Sequence, residues 1–133
     1  MPTSVIIMNN IENIVIKDLK IMGGAGSNAG SYPQAGGGIN SVNSSSELEN
    51  ISLSENVAMF AGGIIAVSSN MVLTNVIVDS NYVYNRGGGL EISMSDVSIE
   101  NGTISNNAAM EGGGMYIRDD DERVRSNTRD DTL

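Results

Sequence analysis

Eight carboxylates lie in the part of the chain where side chains recur at regular intervals: Glu47, Glu49, Glu55, Asp79, Glu91, Asp96, Glu100 and Glu111. All are expected to face outward. Two carboxylates at a set separation can act as acid and base on a glycosidic bond. Glu49 and Glu100 share a repeat column with Thr74 between them. Two strand spacings would hold them about 9–10 Å apart, the outer limit for an inverting pair. Glu55 and Asp79 fall in neighbouring columns on adjacent repeats, beside Asn56 and Asn81, and form at best a weak cation site. A solvated acidic face is the expectation for all of them. Sequence spacing therefore assigns no catalytic residue, no metal ligand and no cofactor.

The residues that are missing limit the chemistry further. There is no His and no Cys, so imidazole catalysis, thiol catalysis and disulfides are excluded. Lys17 and Lys20 are the only lysines. No glycine block is followed by Gly-Lys-Ser/Thr, so no phosphate loop is present. Candidate binding residues sit at two irregular places instead. Tyr82, Tyr84 and Arg86 crowd one corner, and Asn28 and Tyr32 lie in the loop Gly24–Gln34. Exposed tyrosines and arginine suit contact with a sugar or a protein.

The elements that position these residues are repeats. Taking Gly36, Ala61, Gly87 and Gly112 as origins gives intervals of 25, 26 and 25 residues. Ile39, Ile64, Leu90 and Met115 stand three residues past the origins. Leu48, Leu73 and Ile99 stand twelve past, and Leu53, Val78 and Ile104 seventeen past. Alternation with polar neighbours around these columns is the period of a half-buried strand. Each repeat is thus expected to hold about three short strands. Two further columns are Asn throughout: Asn50, Asn75 and Asn101, and Asn56, Asn81 and Asn107. Asn tolerates a left-handed bend and can bond to its equivalents above and below, so both columns are expected to form internal structural ladders. Counted from Ser4, an earlier repeat places Ile7, Ile16, Asp18 and Ile21 in matching columns. Its surplus length is expected to bulge from one corner as the Gly23–Gln34 loop.

These observations predict an all-β fold: a right-handed parallel β-helix of about four coils of ~25 residues, followed by a polar C-terminal tail. The solenoid should cover residues 1–117, with coils near 4–35, 36–60, 61–86, 87–111 and a partial one at 112–117. Residues 118–133 are charged and expected to be disordered. A net charge of −9 argues against nucleic-acid partners. No apolar run approaches the ~20 residues needed to cross a bilayer as a helix, so membrane insertion is not expected. The first residues do not read as a signal peptide. Each solenoid end should expose an open parallel edge, and no amphipathic helix is available as a cap. Either the chain is a piece of a longer helix or it associates end to end.

Leu53-x-x-Asn56, Val78-x-x-Asn81 and Ile104-x-x-Asn107, with Gly62-Gly63-Ile64, Gly88-Gly89-Leu90 and Gly113-Gly114-Met115, form a recognisable pattern. It resembles the Phe-x-x-Asn and Gly-Gly-Ala-Ile/Leu/Val repeats of the chlamydial polymorphic outer-membrane proteins and related adhesin-like β-helix proteins. The Phe is aliphatic here and the Ala is absent. The resemblance implies a non-enzymatic segment of a surface or secreted protein that presents a repetitive face to a polysaccharide or a cell-surface protein. An alternative is a fragment of a pectate-lyase-like polysaccharide lyase or glycoside hydrolase whose catalytic coils lie elsewhere.

Overall fold

The computed structural model describes residues 3–118 and the backbone of 123–126 and 129–130. Among the described residues every regular element is a strand, and the strands stack as a parallel β-solenoid. The first sheet contains β1 (Ile6–Asn9), β5 (Ile39–Val42), β8 (Ile64–Val67), β11 (Leu90–Ser93) and β14 (Met115–Arg118), in that order. The second contains β2 (Ile14–Met22), β6 (Ser45–Ser54), β9 (Asn70–Asp79), and then β12 (Asp96–Glu100) and β13 (Thr103–Ser105) side by side on β9. Two segments, β15 (Arg123–Ser126) and β16 (Arg129–Asp130), pair with β12 and β13. The third sheet runs β10 (Tyr82–Arg86), β7 (Val57–Phe60), β4 (Tyr32–Ala35) and β3 (Ser27–Ala29).

The aliphatic columns stack as their spacing predicts. Ile39 pairs with Ile64, Ile64 with Leu90, and Leu90 with Met115. Leu48 pairs with Leu73 and Leu73 with Ile99; Leu53 pairs with Val78 and Val78 with Ile104. Together with Met71, Val76 and Ile92 they form one narrow buried core. Asp18, Asn50, Asn75 and Asn101 each adopt φ near +55°, which bends the second sheet at the same place in every coil. Only a left-handed residue can make that bend, and Asn and Asp reach it at lower cost than other side chains.

Four expectations need correction. In the first coil Ile6, not Ile7, pairs with Ile39, and Ile7 stands opposite Asn40. Ile16 and Ile21 still meet Leu48 and Leu53. One surplus residue in the corner between β1 and β2 absorbs the difference, and because side chains alternate, Ile7 turns outward. Secondly, the columns twelve and seventeen past the origin share one long strand in β6 and in β9, and the third strand of a repeat is the stretch after the inner Asn. Val57–Phe60 and Tyr82–Arg86 form a third sheet with alternating exposed and buried residues.

Thirdly, the Gly23–Gln34 segment does not bulge away. Its antiparallel pair β3–β4 folds over the outer face of the first sheet. Ala29, Tyr32 and Ala35 bury Ile65 and Val67 in a second small core. Asn40 fastens the pair, its Nδ2 donating to the carbonyls of Ser27, Asn28 and Ala35. Finally, residues 118–133 are not without order throughout. Arg118 ends β14, and β15 and β16 continue the second sheet. The remainder of that stretch lies outside the described residues.

The paired glycines have a steric cause. A Cβ on Gly62 would stand 2.6 Å from the Gly88 carbonyl oxygen and 2.8 Å from Asn81 Cβ. Gly63 faces Gly89 in the same way. Each coil's corner thus lies directly on the backbone of the next. Gly62→Ala should lower stability by about 3 kcal/mol, because the contact is with backbone that cannot move aside. Gly23→Ala, with open space around it but φ +77°, should cost only about 1 kcal/mol. Urea midpoints of the two variants provide the comparison, and equal losses would argue against the steric cause.

Candidate functional site

Residues with chemical potential fall into three places on the solenoid. The first is an exposed aromatic pair on the third sheet. Tyr82 and Tyr84 point outward from β10, 47% and 60% exposed. Their rings meet edge to face, 5.4 Å apart at 86°. Val57 and Met59 on β7, and Met110 beyond, extend the same face with exposed apolar side chains. The alternation that exposes both tyrosines buries Val83 between them.

The second place is a buried charge cluster. The residue that lengthens this coil forms a bulge in β10, so that Val83 pairs with Ala58 but Arg86 pairs with Phe60. A bulge re-aims the side chains after it, and here it sends Arg86 away from Tyr82 and Tyr84. Arg86 Nε donates to Glu91 Oε1 at 2.9 Å. Its guanidinium lies 5.0 Å from the Phe60 ring centre and 4.9 Å from that of Tyr116, with Tyr32 at 5.8 Å. Glu91, expected on the surface, is fully buried. It follows Ile65 in the outward column of the first sheet, the column that β3–β4 covers. Burial pushes the Glu91 carboxyl above its usual range, and Arg86 offsets this only in part. Glu91 Oε2 has no hydrogen-bond partner among the described residues.

Tyr32 joins this cluster instead of serving as a loop contact. It is buried edge-on against Phe60, its hydroxyl donating to Ser93 Oγ at 3.3 Å and accepting from Arg118 at 3.1 Å. Asn28 remains exposed on the hairpin. The structure therefore separates the five sequence-selected residues. Tyr82 and Tyr84 share one surface, Asn28 lies on the hairpin, and Tyr32 and Arg86 are internal. The alternation in Tyr82-Val83-Tyr84 was a visible signal for the pair. The Arg86–Glu91 partnership had none, because it depends on the bulge.

The third place is a groove of about 480 Å³ across the start of the second sheet. Asn13, Ser45, Asn70 and Asp96 line one side as successive rungs, and Val15, Glu47, Val72 and Ser98 the other.

The Asn columns divide into two kinds. Asn56, Asn81 and Asn107 are buried and form an unbroken internal ladder. Asn56 Nδ2 donates to Asn81 Oδ1, and Asn81 Nδ2 to Asn107 Oδ1, both at 2.9 Å. Asn50, Asn75 and Asn101 instead lie on the outside. Asn75 donates to Asn50 at 3.2 Å, and Asn50 to Asp18 at 2.9 Å. The expectation of two internal ladders is thus half corrected. A left-handed bend projects its side chain away from the core, whereas the Asn56 column sits inside the corner.

Of the carboxylates considered for catalysis or for a cation, Glu49 and Asp79 are engaged by other groups. Glu49 and Glu100 flank Thr74 in register, and Glu49 pairs with Lys17 at 3.2 Å on the surface. Asp79 accepts from Asn106, Ser80 and Ser105, which hold its carboxyl below the usual range. Those donors occupy the oxygens that a cation would need, and Glu55 lies outside the set. No group of three or more acids stands close enough to hold a metal among the described residues. No family model, curated protein or solved structure matches this chain.

Proposed function

We propose that this solenoid is a non-enzymatic segment of an adhesin-like surface or secreted protein that binds a polysaccharide or a cell-surface protein. The observation that carries this reading is the exposed edge-to-face pair Tyr82–Tyr84, set on a rigid sheet among Val57, Met59 and Met110. Rigid aromatic side chains bring large contact area at small entropic cost, and their hydroxyls add direction. A β-solenoid presents such groups at fixed spacing without a loop to order first. The polar rungs of the 480 Å³ groove supply a second repetitive surface. Support also comes from the aliphatic-x-x-Asn and Gly-Gly columns, which resemble the repeats of the chlamydial polymorphic outer-membrane proteins.

The test is binding to immobilised neutral and acidic polysaccharides and to intact cell surfaces. The double variant Tyr82→Ser/Tyr84→Ser should weaken capture more than about tenfold, a loss typical of a central aromatic contact. Its melting temperature should stay within about 2 °C of the parent, because both rings are exposed. Undiminished capture would overturn the assignment of this face.

A further inference from the structure

We propose, building on the binding role of Tyr82 and Tyr84, that the outer face of the third sheet docks a protein whose contact surface is apolar at its centre and basic at its margin. The face spans three neighbouring coils. Val57, Tyr82 and Ala108 stand in register across it. Met59, Tyr84 and Met110, each two residues further on, are exposed beside them. Strand alternation turns Ala58 and Val83, the residues between, inward.

None of these six outward positions carries a charge. On the second sheet, by contrast, the exposed Val72 and Ile77 are interrupted by Glu47, Glu49, Asp96 and Glu100. On the first sheet, Ile65 and Val67 lie under the β3–β4 pair. Tyrosine and methionine with charge depleted is the composition of the buried centre of a protein interface. Flexible methionine side chains adapt to an apolar partner. A polysaccharide needs several directed polar groups to hold its hydroxyls, and this face offers only the two tyrosine hydroxyls.

Charge at the margin selects the partner. Glu55 stands at the corner before Val57, and Glu111 directly follows Met110; both are exposed. Neither has an ion-pair partner among the described residues, where Lys17 pairs with Glu49 and Arg86 with Glu91. Glu55 holds the same left-handed corner as Ser80 and Asn106, with φ of 55°, 57° and 53°. Asn reaches that conformation at lower cost than Glu, so the bend itself does not call for a carboxylate. Two copies of this face would bring these acids together in chains that each carry −9. An anionic membrane surface is repelled in the same way. A protein with Lys or Arg around an apolar centre complements both the face and its margin.

Immobilised synthetic peptides, probed with the whole chain, provide the test. A peptide that alternates Leu with Lys should be captured. Its counterpart with Glu for Lys should not, and one with Ser for Leu should bind more than about tenfold more weakly. Tyr82→Ser/Tyr84→Ser should weaken capture of the Leu-Lys peptide by a similar factor. Glu55→Gln/Glu111→Gln should weaken it about fivefold, whereas Glu49→Gln/Glu100→Gln, the same charge change on the second sheet, should leave it unchanged. Equal losses from the two Gln pairs would overturn the proposal, since charge anywhere on the chain would then suffice. So would binding to a polysaccharide, to anionic phospholipid vesicles or to a second copy (a doubled mass in light scattering) that the tyrosine double variant abolishes. Polysaccharide binding of that kind would still leave the binding role of the pair intact. A parent chain that captures none of these probes would overturn the docking partner and the binding role alike.

Discussion

Arg86→Met is expected to destabilise the solenoid by about 3–5 kcal/mol, the cost of leaving a buried partner charge alone. Glu91 is fully buried and Arg86 is its ion-pair partner at 2.9 Å. Methionine fills much of the space between Phe60 and Tyr116 but neutralises nothing. The loss should be pH-dependent with a definite sign. Burial already holds the folded value for Glu91 above 4.5. For a carboxyl raised in this way, the ionised form costs stability at neutral pH, and the cost fades on acidification. Without Arg86 the folded value rises further. The gap between variant and parent should therefore be widest at pH 7 and above. It should narrow as pH falls through the folded value of Glu91 toward 4.5. Thermal melts across that range provide the check, with a gap on the order of 10 °C at pH 7. Arg86→Met/Glu91→Leu should recover most of the loss, because no charge then remains buried. A gap that is flat with pH would show that Arg86 acts by packing alone.

The second large effect is expected at Asn81→Ala. Asn81 Oδ1 accepts from both the backbone N–H and Nδ2 of Asn56. Its own Nδ2 donates to Asn107 Oδ1 and to the carbonyls of Leu53 and Asp79. Alanine leaves several of these groups buried without partners, at about 1–3 kcal/mol each. A total on the order of 4 kcal/mol is expected, short of simple addition because the ladder relaxes as a unit. Asn107→Ala, at the end of the described ladder, should cost less. Asn75→Gly in the outer column should cost under about 1 kcal/mol, since it keeps the left-handed bend and gives up bonding at an exposed position. Urea midpoints in the order Asn81, Asn107, Asn75 confirm this division. Equal losses at Asn81 and Asn75 would refute it.

Sequence alone determined the solenoid. Periods of 25, 26 and 25 residues place aliphatic, Asn and Gly columns in register, and parallel strands stacked coil on coil satisfy all of them at once. The physical reason is that each coil is a copy of its neighbour, so one pattern repeated several times specifies core, bend and corner together. The exposed Tyr82–Tyr84 pair was legible for a related reason, because alternation along one strand assigns its faces locally.

Tertiary structure alone decided what happens where the repeat is broken. The surplus residues 23–34 could have extended from the corner. They fold back over the first sheet because Ile65 and Val67 on its outer face offer apolar area and Asn40 offers an anchor. That cover converts the outward position of Glu91 into a buried one. The one-residue bulge in β10 then supplies Arg86 to the same space. The one-residue surplus before β2 turned Ile7 out of the core column by the same rule of alternation. The two Asn columns read alike in sequence, yet one is internal and one external. The direction in which a bend projects its side chain depends on which corner of the closed coil it occupies, and that is set only when all three sheets have met.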